Sequence, residues 1–202
     1  HFNTLYPTVI FPFTDLDQTD PASGLTDGLL RRAQATGVVP KIFYTNGSYE
    51  YYGRASALIH TTLNGRQDAP LARDTRVYLF AGAQHGPSPW PASRGGTQNL
   101  RNPNDFRYAM RALVLAMHRW LADGLEPPPS SYPKVATGQL VPLSRLRFPK
   151  LPGVALPTRI LEPYRLDFGP EFRTRGIVTF EPPKLGPAYA ALVPVGVHLG
   201  YE

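Results

Sequence analysis

The feature that most constrains this 202-residue sequence is an alternation of helix-like and strand-like segments between residues 26 and 124. Two short runs, 40–45 and 75–81, are rich in β-branched and aromatic residues and are bounded by turn formers, which is typical of buried strands. Helix-like patterns precede, separate and follow them. Because parallel strands need crossover connections, this order predicts an α/β fold with a mostly parallel sheet and helices on both faces.

The first two helices are predicted from their start and stop signals. Thr26 or Asp27 can cap the first helix, and Gly37 follows its last apolar positions. Ser48 can cap the second helix, which is predicted to run to about His60. Both helices are therefore expected to cross between strands of the sheet.

The third helix has the clearest pattern and is predicted over 103–123. Asn102 is its expected cap, Pro103 occupies the first turn and Gly124 stops it. Its apolar side chains repeat at spacings of three and four residues: Phe106, Ala109, Met110, Leu113, Val114, Met117 and Leu121. Such a stripe predicts a helix packed against the sheet.

The amino-acid composition changes after Gly124. Fourteen of the 23 prolines lie beyond residue 125, and only short apolar pieces such as 176–180 suggest strands. We therefore predict two regions, a partial sheet domain over 1–124 and a Pro-rich irregular appendage of loops and short strands over 125–202.

Composition excludes several classes of protein. Cysteine is absent, which excludes disulfides, thiolate metal sites and a cysteine nucleophile, and leaves the compartment open with a secreted or periplasmic location slightly favoured. No apolar run approaches the roughly 18–20 residues of a membrane helix. The net charge of +6 is scattered singly, so no specific nucleic-acid surface is predicted. Because the sequence opens at His1 without Met or a signal peptide, it is expected to be processed or internal to a longer product.

Two polar residues follow the two predicted strands at the point where each strand ends. Glu50 lies five residues after Thr45, and His85 lies four residues after Ala81. Ligands of open α/β sheets gather at the carboxyl ends of the strands. If the strands are neighbours, a carboxylate meets an imidazole there, an arrangement that suits a general base and its orienting acid. The alternative is that His85 is hydrogen-bonded in a loop without a catalytic role.

The remaining candidates have simpler interpretations. His60 is expected to be a packed or capping residue and His118 a structural one. A row of aspartates resembles the start of a calcium loop, but the glycine and terminal glutamate of such a loop are not at the required positions, so turn and cap roles are favoured: Asp15, Asp17 and Asp20.

Rivals for the acid and walls for a substrate pocket can also be named. Asp68 and Asp74 precede the histidine strand, but both look like loop residues. Trp90, in a Pro-Trp-Pro segment, and Tyr51, beside Glu50, are candidate pocket walls, although packing is an equal alternative for an aromatic side chain. No metal site and no organic cofactor are predicted.

Several segments, in this order along the chain, resemble a family of largely uncharacterised bacterial α/β-hydrolase domain proteins. The segments that carry the resemblance are 11–14, 19–21, 27–30, 40–46, 48–54, 81–86 and 120–128. The resemblance implies the carboxyl-terminal part of an α/β-hydrolase, in which Glu50 is the acid, His85 the base and the helix 103–123 closes the sheet.

The sequence departs from that family pattern at the nucleophile. No Gly-x-Ser-x-Gly elbow is present, and none of four serines near the expected site stands at a strand-to-helix elbow ahead of the acid: Ser48, Ser56, Ser88 and Ser93. The oxyanion loop is also missing. The resemblance therefore implies a serine hydrolase of carboxylic esters whose nucleophile lies in a remaining amino-terminal half or a partner chain.

Two functions follow from this sequence. In the complete enzyme, acting on a small ester, His85 would move the proton and Glu50 would hold the ring, whereas these 202 residues alone would be inactive. The alternative is a non-catalytic α/β-hydrolase-like subunit with a structural or binding role.

Overall fold

The computed structural model describes residues 9–198; residues 1–8 and 199–202, at the ends of the two predicted regions, lie outside the described residues. The helices are α1 (Arg31–Ala35), α2 (Ser48–Gly53), α3 (Arg107–Ala122) and α4 (Phe172–Arg175), with 3₁₀ turns at Ser56–Ile59 and Leu143–Arg145. The strands are β1 (Gln18–Thr19), β2 (Thr26–Asp27), β3 (Ile42–Gly47), β4 (Thr75–Phe80), β5 (Leu140–Val141), β6 (Tyr164–Asp167), β7 (Lys184–Ala188) and β8 (Val193–Pro194).

The centre of the fold is the parallel pair formed by β3 and β4. Their register runs from Ile42 opposite Thr75 to Gly47 opposite Phe80, so both strands end at the same edge. The two strands are thus neighbours, which is the condition under which Glu50 and His85 would meet. The other pairs in the described residues, β1–β2, β5–β8 and β6–β7, are antiparallel and two-stranded. A larger parallel sheet covered on both faces stays a prediction.

The two outer edges of the parallel pair differ. Along β4, Ser131 forms a short parallel bridge: its amide donates to the Val77 carbonyl (2.9 Å) and its carbonyl accepts from the Leu79 amide (2.8 Å). Along β3, no strand of residues 9–198 pairs with the outer edge. A six-residue strand with one free edge can accept a further strand.

Two apolar clusters, each with aromatic side chains, form the core. The first contains Tyr51, Tyr52, Ala57, Leu140, Leu192 and Val193, and the second contains Phe11, Ala55, Leu58, Leu63 and Tyr189. Both clusters combine residues from before and after Gly124. The described part of the Pro-rich segment therefore packs into the same core as the parallel pair, and the predicted boundary at 124 is not a gap in packing.

Helix α3 packs against the parallel pair mainly through the side chain of Trp120. Trp120 is buried, and its ring stacks on that of Phe43 at 5.8 Å between centroids. The predicted stripe is only partly covered, because Val114 and Leu121 are 66% and 64% exposed. Together with exposed Leu115, they leave α3 with an apolar outer face among the described residues.

The predicted start of α3 was wrong. The helix begins at Arg107, not at Pro103, and Asn102 does not cap it. The Asn102 side chain is used elsewhere, because its amide donates to the Gly82 carbonyl (2.7 Å) and its oxygen accepts from the Asn104 amide (2.9 Å). Asparagine commonly forms such local turns in place of a helix cap.

The two earlier helices are shorter than predicted. Thr26 and Asp27 pair with β1 instead of capping a helix, so α1 is a single short turn. The predicted helix from Ser48 to His60 is interrupted after Gly53, where Ala55 adopts a left-handed backbone conformation with φ of 52°. Since a non-glycine residue rarely adopts this conformation, the apolar pattern could not reveal the break.

The predicted strand at 176–180 is absent. Gly176 ends α4 with φ of 71°, and the residues after it form no ladder. The strands of this region lie on either side, where β6 pairs with β7. β-Branched residues at 177–179 were therefore a misleading signal, because β-propensity depends on context.

Candidate active site

Glu50 and His85 meet at the carboxyl edge of the parallel pair. The Oε1 atom of Glu50 lies 2.6 Å from Nδ1 of His85, a short charge-assisted hydrogen bond. The two residues are 35 positions apart, and the parallel register of β3 and β4 brings them together. The structure thus unites the two residues that the sequence singled out.

Glu50 is oriented by the backbone as well as by His85. It lies in the first turn of α2, and its Oε2 accepts a hydrogen bond from the Gly47 amide (2.7 Å). One carboxylate oxygen of Glu50 therefore bonds to the backbone of the turn and the other to the imidazole of His85. A carboxylate near a helix amino terminus is also favoured by the helix dipole.

Gly47 is required for the close approach of two elements. These are the first turn of α2, which carries Glu50 and is called the acid turn, and the loop after β4, which carries His85 and is called the histidine loop. A Cβ atom at this position would lie 2.8 Å from the Ala83 carbonyl oxygen and 3.0 Å from Glu50 Oε2. Real Cβ atoms do not approach backbone oxygens so closely. The glycine therefore sets the distance between the elements that carry Glu50 and His85.

The histidine loop is fixed by hydrogen bonds to its backbone. The Gly82 amide donates to Ser48 Oγ (2.7 Å), and the Ala83 carbonyl accepts from the Tyr49 amide (3.3 Å). On the other side, the side-chain amide of Asn102 donates to the Gly82 carbonyl (2.7 Å). These contacts hold the backbone two and three residues before His85, from α2 on one side and from the loop that precedes α3 on the other.

The two members of the pair differ in exposure. The Glu50 side chain is 17% exposed, whereas that of His85 is 82% exposed. With Nδ1 turned to the carboxylate, Nε2 has no hydrogen-bond partner among residues 9–198. A carboxylate at Nδ1 favours the tautomer that leaves Nε2 basic and stabilises the cation formed when Nε2 takes a proton.

None of the four serines near the expected nucleophile position bonds to His85. Ser48 is buried and accepts from the Gly82 amide, Ser56 is buried, and Ser88 Oγ lies 3.2 Å from the Gln84 side-chain nitrogen. Ser93 is exposed in the following loop. Within residues 9–198, the Glu50–His85 pair thus has none of these four serine hydroxyls bonded to the imidazole.

The proposed pocket walls lie apart from the pair. Trp90 is exposed, and Tyr51 is fully buried with its hydroxyl 2.9 Å from His60 Nε2. No ring contact or hydrogen bond joins either aromatic residue to Glu50 or His85 within the described chain. The aromatic ring next to His85 is that of Tyr49, at 6.0 Å between centroids, which the sequence reasoning missed.

His60 lies in the core as a neutral side chain. It is fully buried between Tyr51 and Tyr132, the latter ring at 4.6 Å, and its Nδ1 atom has no partner in the described chain. Burial lowers the pKa of His60 to about 4, because the interior disfavours the imidazolium. Its structural interpretation therefore fits, and His118 is exposed on α3.

The acidic residues near the start of the described chain make structural contacts. Asp15 accepts hydrogen bonds from the hydroxyls of Tyr44 and Thr75 and so ties this segment to β3 and β4. Burial and the neighbouring Asp15 raise the pKa of Tyr44. Asp17 pairs with Arg31, and Asp20 pairs with Arg165. Within residues 9–198, no group of three or more His, Cys, Asp or Glu side chains lies close enough together to hold a metal ion.

The rivals for the acid are also accounted for. Both oxygens of Asp68 accept backbone amides, those of Val135 (2.8 Å) and Ala136 (3.0 Å), and Asp74 pairs with Lys41. Neither contacts His85. Asp68 thus holds the Pro-rich segment against the rest of the chain.

Comparisons with known proteins give no further assignment, since no protein-family model, curated protein or solved structure matches the chain. No helix within residues 9–198 is long and apolar enough to cross a membrane. The geometry of the site therefore carries the functional reasoning.

Proposed function

We propose that this chain supplies the catalytic base and acid of a serine hydrolase of carboxylic esters, with the nucleophilic serine and oxyanion loop outside these 202 residues. The observation that carries the proposal is the 2.6 Å contact between Glu50 Oε1 and His85 Nδ1 at the carboxyl edge of two parallel strands. The motif resemblance to bacterial α/β-hydrolase domain proteins agrees with this placement.

Each group has a defined task in the proposed reaction. His85 Nε2 takes the proton of the serine hydroxyl as the serine oxygen attacks the acyl carbon, and then gives it to the departing alcohol oxygen. In the second half of the reaction, water attacks the acyl carbon of the acyl-serine while His85 Nε2 takes its proton. His85 then returns the proton to the serine oxygen, and the carboxylic acid is released. Glu50 orients the ring and stabilises the imidazolium in each step.

Two surfaces fit a nucleophile delivered from outside the described chain. The outer edge of β3 has no strand partner among residues 9–198, and the outer face of α3 exposes Val114, Leu115 and Leu121. An unpaired strand edge and an exposed apolar face are both unfavourable in water. A strand that extends the sheet would pair the edge, and a helix that covers the face would bury its apolar side chains. The occupant would be the remaining half of the hydrolase or a partner chain.

A fluorophosphonate probe, which reacts with activated serines, tests the proposal. The assembled hydrolase should be labelled on a serine outside the 202 residues, and the isolated chain should remain unlabelled. In the assembled enzyme, His85→Ala should lower kcat/KM for a 4-nitrophenyl ester by about 1,000-fold or more, because no other group takes the serine proton. Glu50→Gln should cost less than His85→Ala.

Asp74→Asn is the matched control for Glu50→Gln, since Asp74 is a carboxylate that pairs with Lys41 and does not contact His85. It should leave kcat/KM unchanged. Labelling of a serine within the isolated 202 residues would contradict the proposal, and so would full activity of the His85→Ala enzyme.

The alternative of a non-catalytic structural or binding subunit has one observation in its favour. His85 is 82% exposed and Nε2 meets no described hydroxyl. The two functions differ in the composition of the assembly. A self-paired oligomer without a reactive serine would support the structural role, whereas assembly with a serine-bearing polypeptide would support the split enzyme.

A further inference from the structure

A cavity of about 300 Å³ lies directly beside the acid of the pair. Its volume is at the lower end of the range of small-molecule sites, roughly 300–1,000 Å³. The segment at 9–13, the end of β3, α2, the 3₁₀ turn and the Pro-rich segment all contribute to its walls. The larger apolar side chains of the wall are Val9, Ile10, Phe13, Leu58, Ile59 and Leu161.

Two polar side chains in the cavity wall lack hydrogen-bond partners. Asn46 Nδ2 and Ser56 Oγ are both screened from solvent, and neither atom has a partner in the described chain. Ser56 is nine-tenths buried. Buried polar groups are nearly always paired, so two orphaned groups in one cavity wall indicate a partner that binds there. To pair with a ligand in the cavity, either group would have to rotate about its own side-chain bonds.

The charged groups in the wall favour a neutral partner. Arg54 and Glu50 both line the cavity, so its charges have opposite sign. The Arg54 guanidinium is already engaged, since it donates to the Gly53 carbonyl (2.8 Å) and lies over the Tyr49 ring at 5.1 Å. An anion would gain from Arg54 but meet the carboxylate of Glu50.

We propose that this cavity binds the non-reacting part of the substrate, a neutral and mainly apolar group with one acceptor oxygen that pairs with Asn46 or Ser56. The proposal rests on the proposed esterase function only in that the bound group is part of a substrate. Binding itself is a property of the chain alone. Because Glu50 belongs both to the cavity wall and to the His85 pair, a bound group lies beside the acid of the pair.

Three related probes test the chemistry of the cavity with the ¹⁵N-labelled 202-residue chain. Propiophenone carries a neutral acceptor oxygen and cannot be hydrolysed, propylbenzene lacks the oxygen, and 3-phenylpropanoate carries a negative charge. Propiophenone should shift the amide signals of 54–56 saturably. It should bind roughly 2- to 10-fold more tightly than propylbenzene, the gain expected from one hydrogen bond. The anion should bind most weakly.

Variants assign the binding to this cavity. Asn46→Ala or Ser56→Ala should remove the preference for propiophenone over propylbenzene without unfolding the chain, because each deletes a group that has no partner. Ile59→Phe should fill the cavity and abolish binding of both probes. Asn99→Ala is the control, because Asn99 is exposed in the loop after His85, and it should change nothing.

Equal affinity for propiophenone and propylbenzene would overturn the proposal, as would unchanged binding in the Ile59→Phe chain. The outcome is separate from that of the esterase function. If the probes bind as expected and the His85→Ala hydrolase stays active, the cavity stands and the catalytic proposal fails. If His85→Ala abolishes activity and propiophenone does not bind, the reverse holds.

Discussion

Stability should fall in mild acid because one buried histidine must stay neutral in the folded chain. His60 has a pKa of about 4 when folded, lowered by burial, against about 6.5 in the unfolded chain. The unfolded chain therefore binds more protons between these two values, and the stability that His60 provides is complete above pH 6.5 and is lost as pH falls toward 4. A backbone hydrogen bond of His60 and the charge of Asp68 both raise this pKa and oppose the effect of burial only in part.

The linkage relation gives the size of the effect. Relative to pH 8, the His60 contribution to the free energy of unfolding should be lower by about 2 kcal/mol at pH 5 and about 3 kcal/mol at pH 4. Urea denaturation of the wild type and of His60→Gln from pH 4 to pH 8 measures it. Glutamine does not titrate and keeps a polar partner for the Tyr51 hydroxyl, so the difference between the two curves isolates His60 from the carboxylates.

His118→Gln is the control for this experiment, because His118 is exposed and should follow the wild-type curve. A wild type and His60→Gln pair whose stabilities stay parallel from pH 8 to pH 4 would refute the reasoning. It would mean that His60 is hydrated or charged in the folded chain.

Two further substitutions test the packing of the sheet and the geometry of the pair. Trp120→Ala should lower the free energy of unfolding by about 3–5 kcal/mol, whereas its exposed neighbour Leu121→Ala should change it by about 0.5 kcal/mol or less, as measured by urea denaturation. Gly47→Ala should lower kcat of the assembled hydrolase by roughly 100-fold, because the new methyl displaces the Ala83 carbonyl and the acid turn. Gly86→Ala, where a Cβ meets nothing within 4 Å, should leave kcat unchanged, and equal effects of the two glycine variants would contradict this role of Gly47.

The parts of the fold that the sequence could predict are those with local signals. Strands β3 and β4 were found because a continuous apolar, β-branched run bounded by turn formers is a local pattern. The alternation with helices indicated parallel strands but left open whether these two are neighbours, which the structure shows. The contact between Glu50 and His85 then needed only one more step, since both lie just beyond the ends of neighbouring parallel strands.

The parts that the sequence could not predict depend on contacts between distant segments. Asn102 looks like a helix cap until the Gly82 carbonyl is placed beside it, 20 positions away. Val114 and Leu121 match a buried stripe, yet whether they are covered depends on what lies opposite the helix. The orphaned groups of Asn46 and Ser56 leave no trace in composition, because an unpaired atom is a property of the packed interior.

The candidate site depends on a helix that could not form alone. Helix α2 has only six residues, too few to be stable in water without tertiary contacts. Its support comes from Tyr51 and Tyr52, which directly follow Glu50 and pack in the cluster with Leu192 and Val193. The Tyr52 hydroxyl also donates to the Val197 carbonyl at 2.7 Å. The orientation of Glu50 is therefore supported by the Pro-rich segment through the core, although that segment carries no residue of the Glu50–His85 pair.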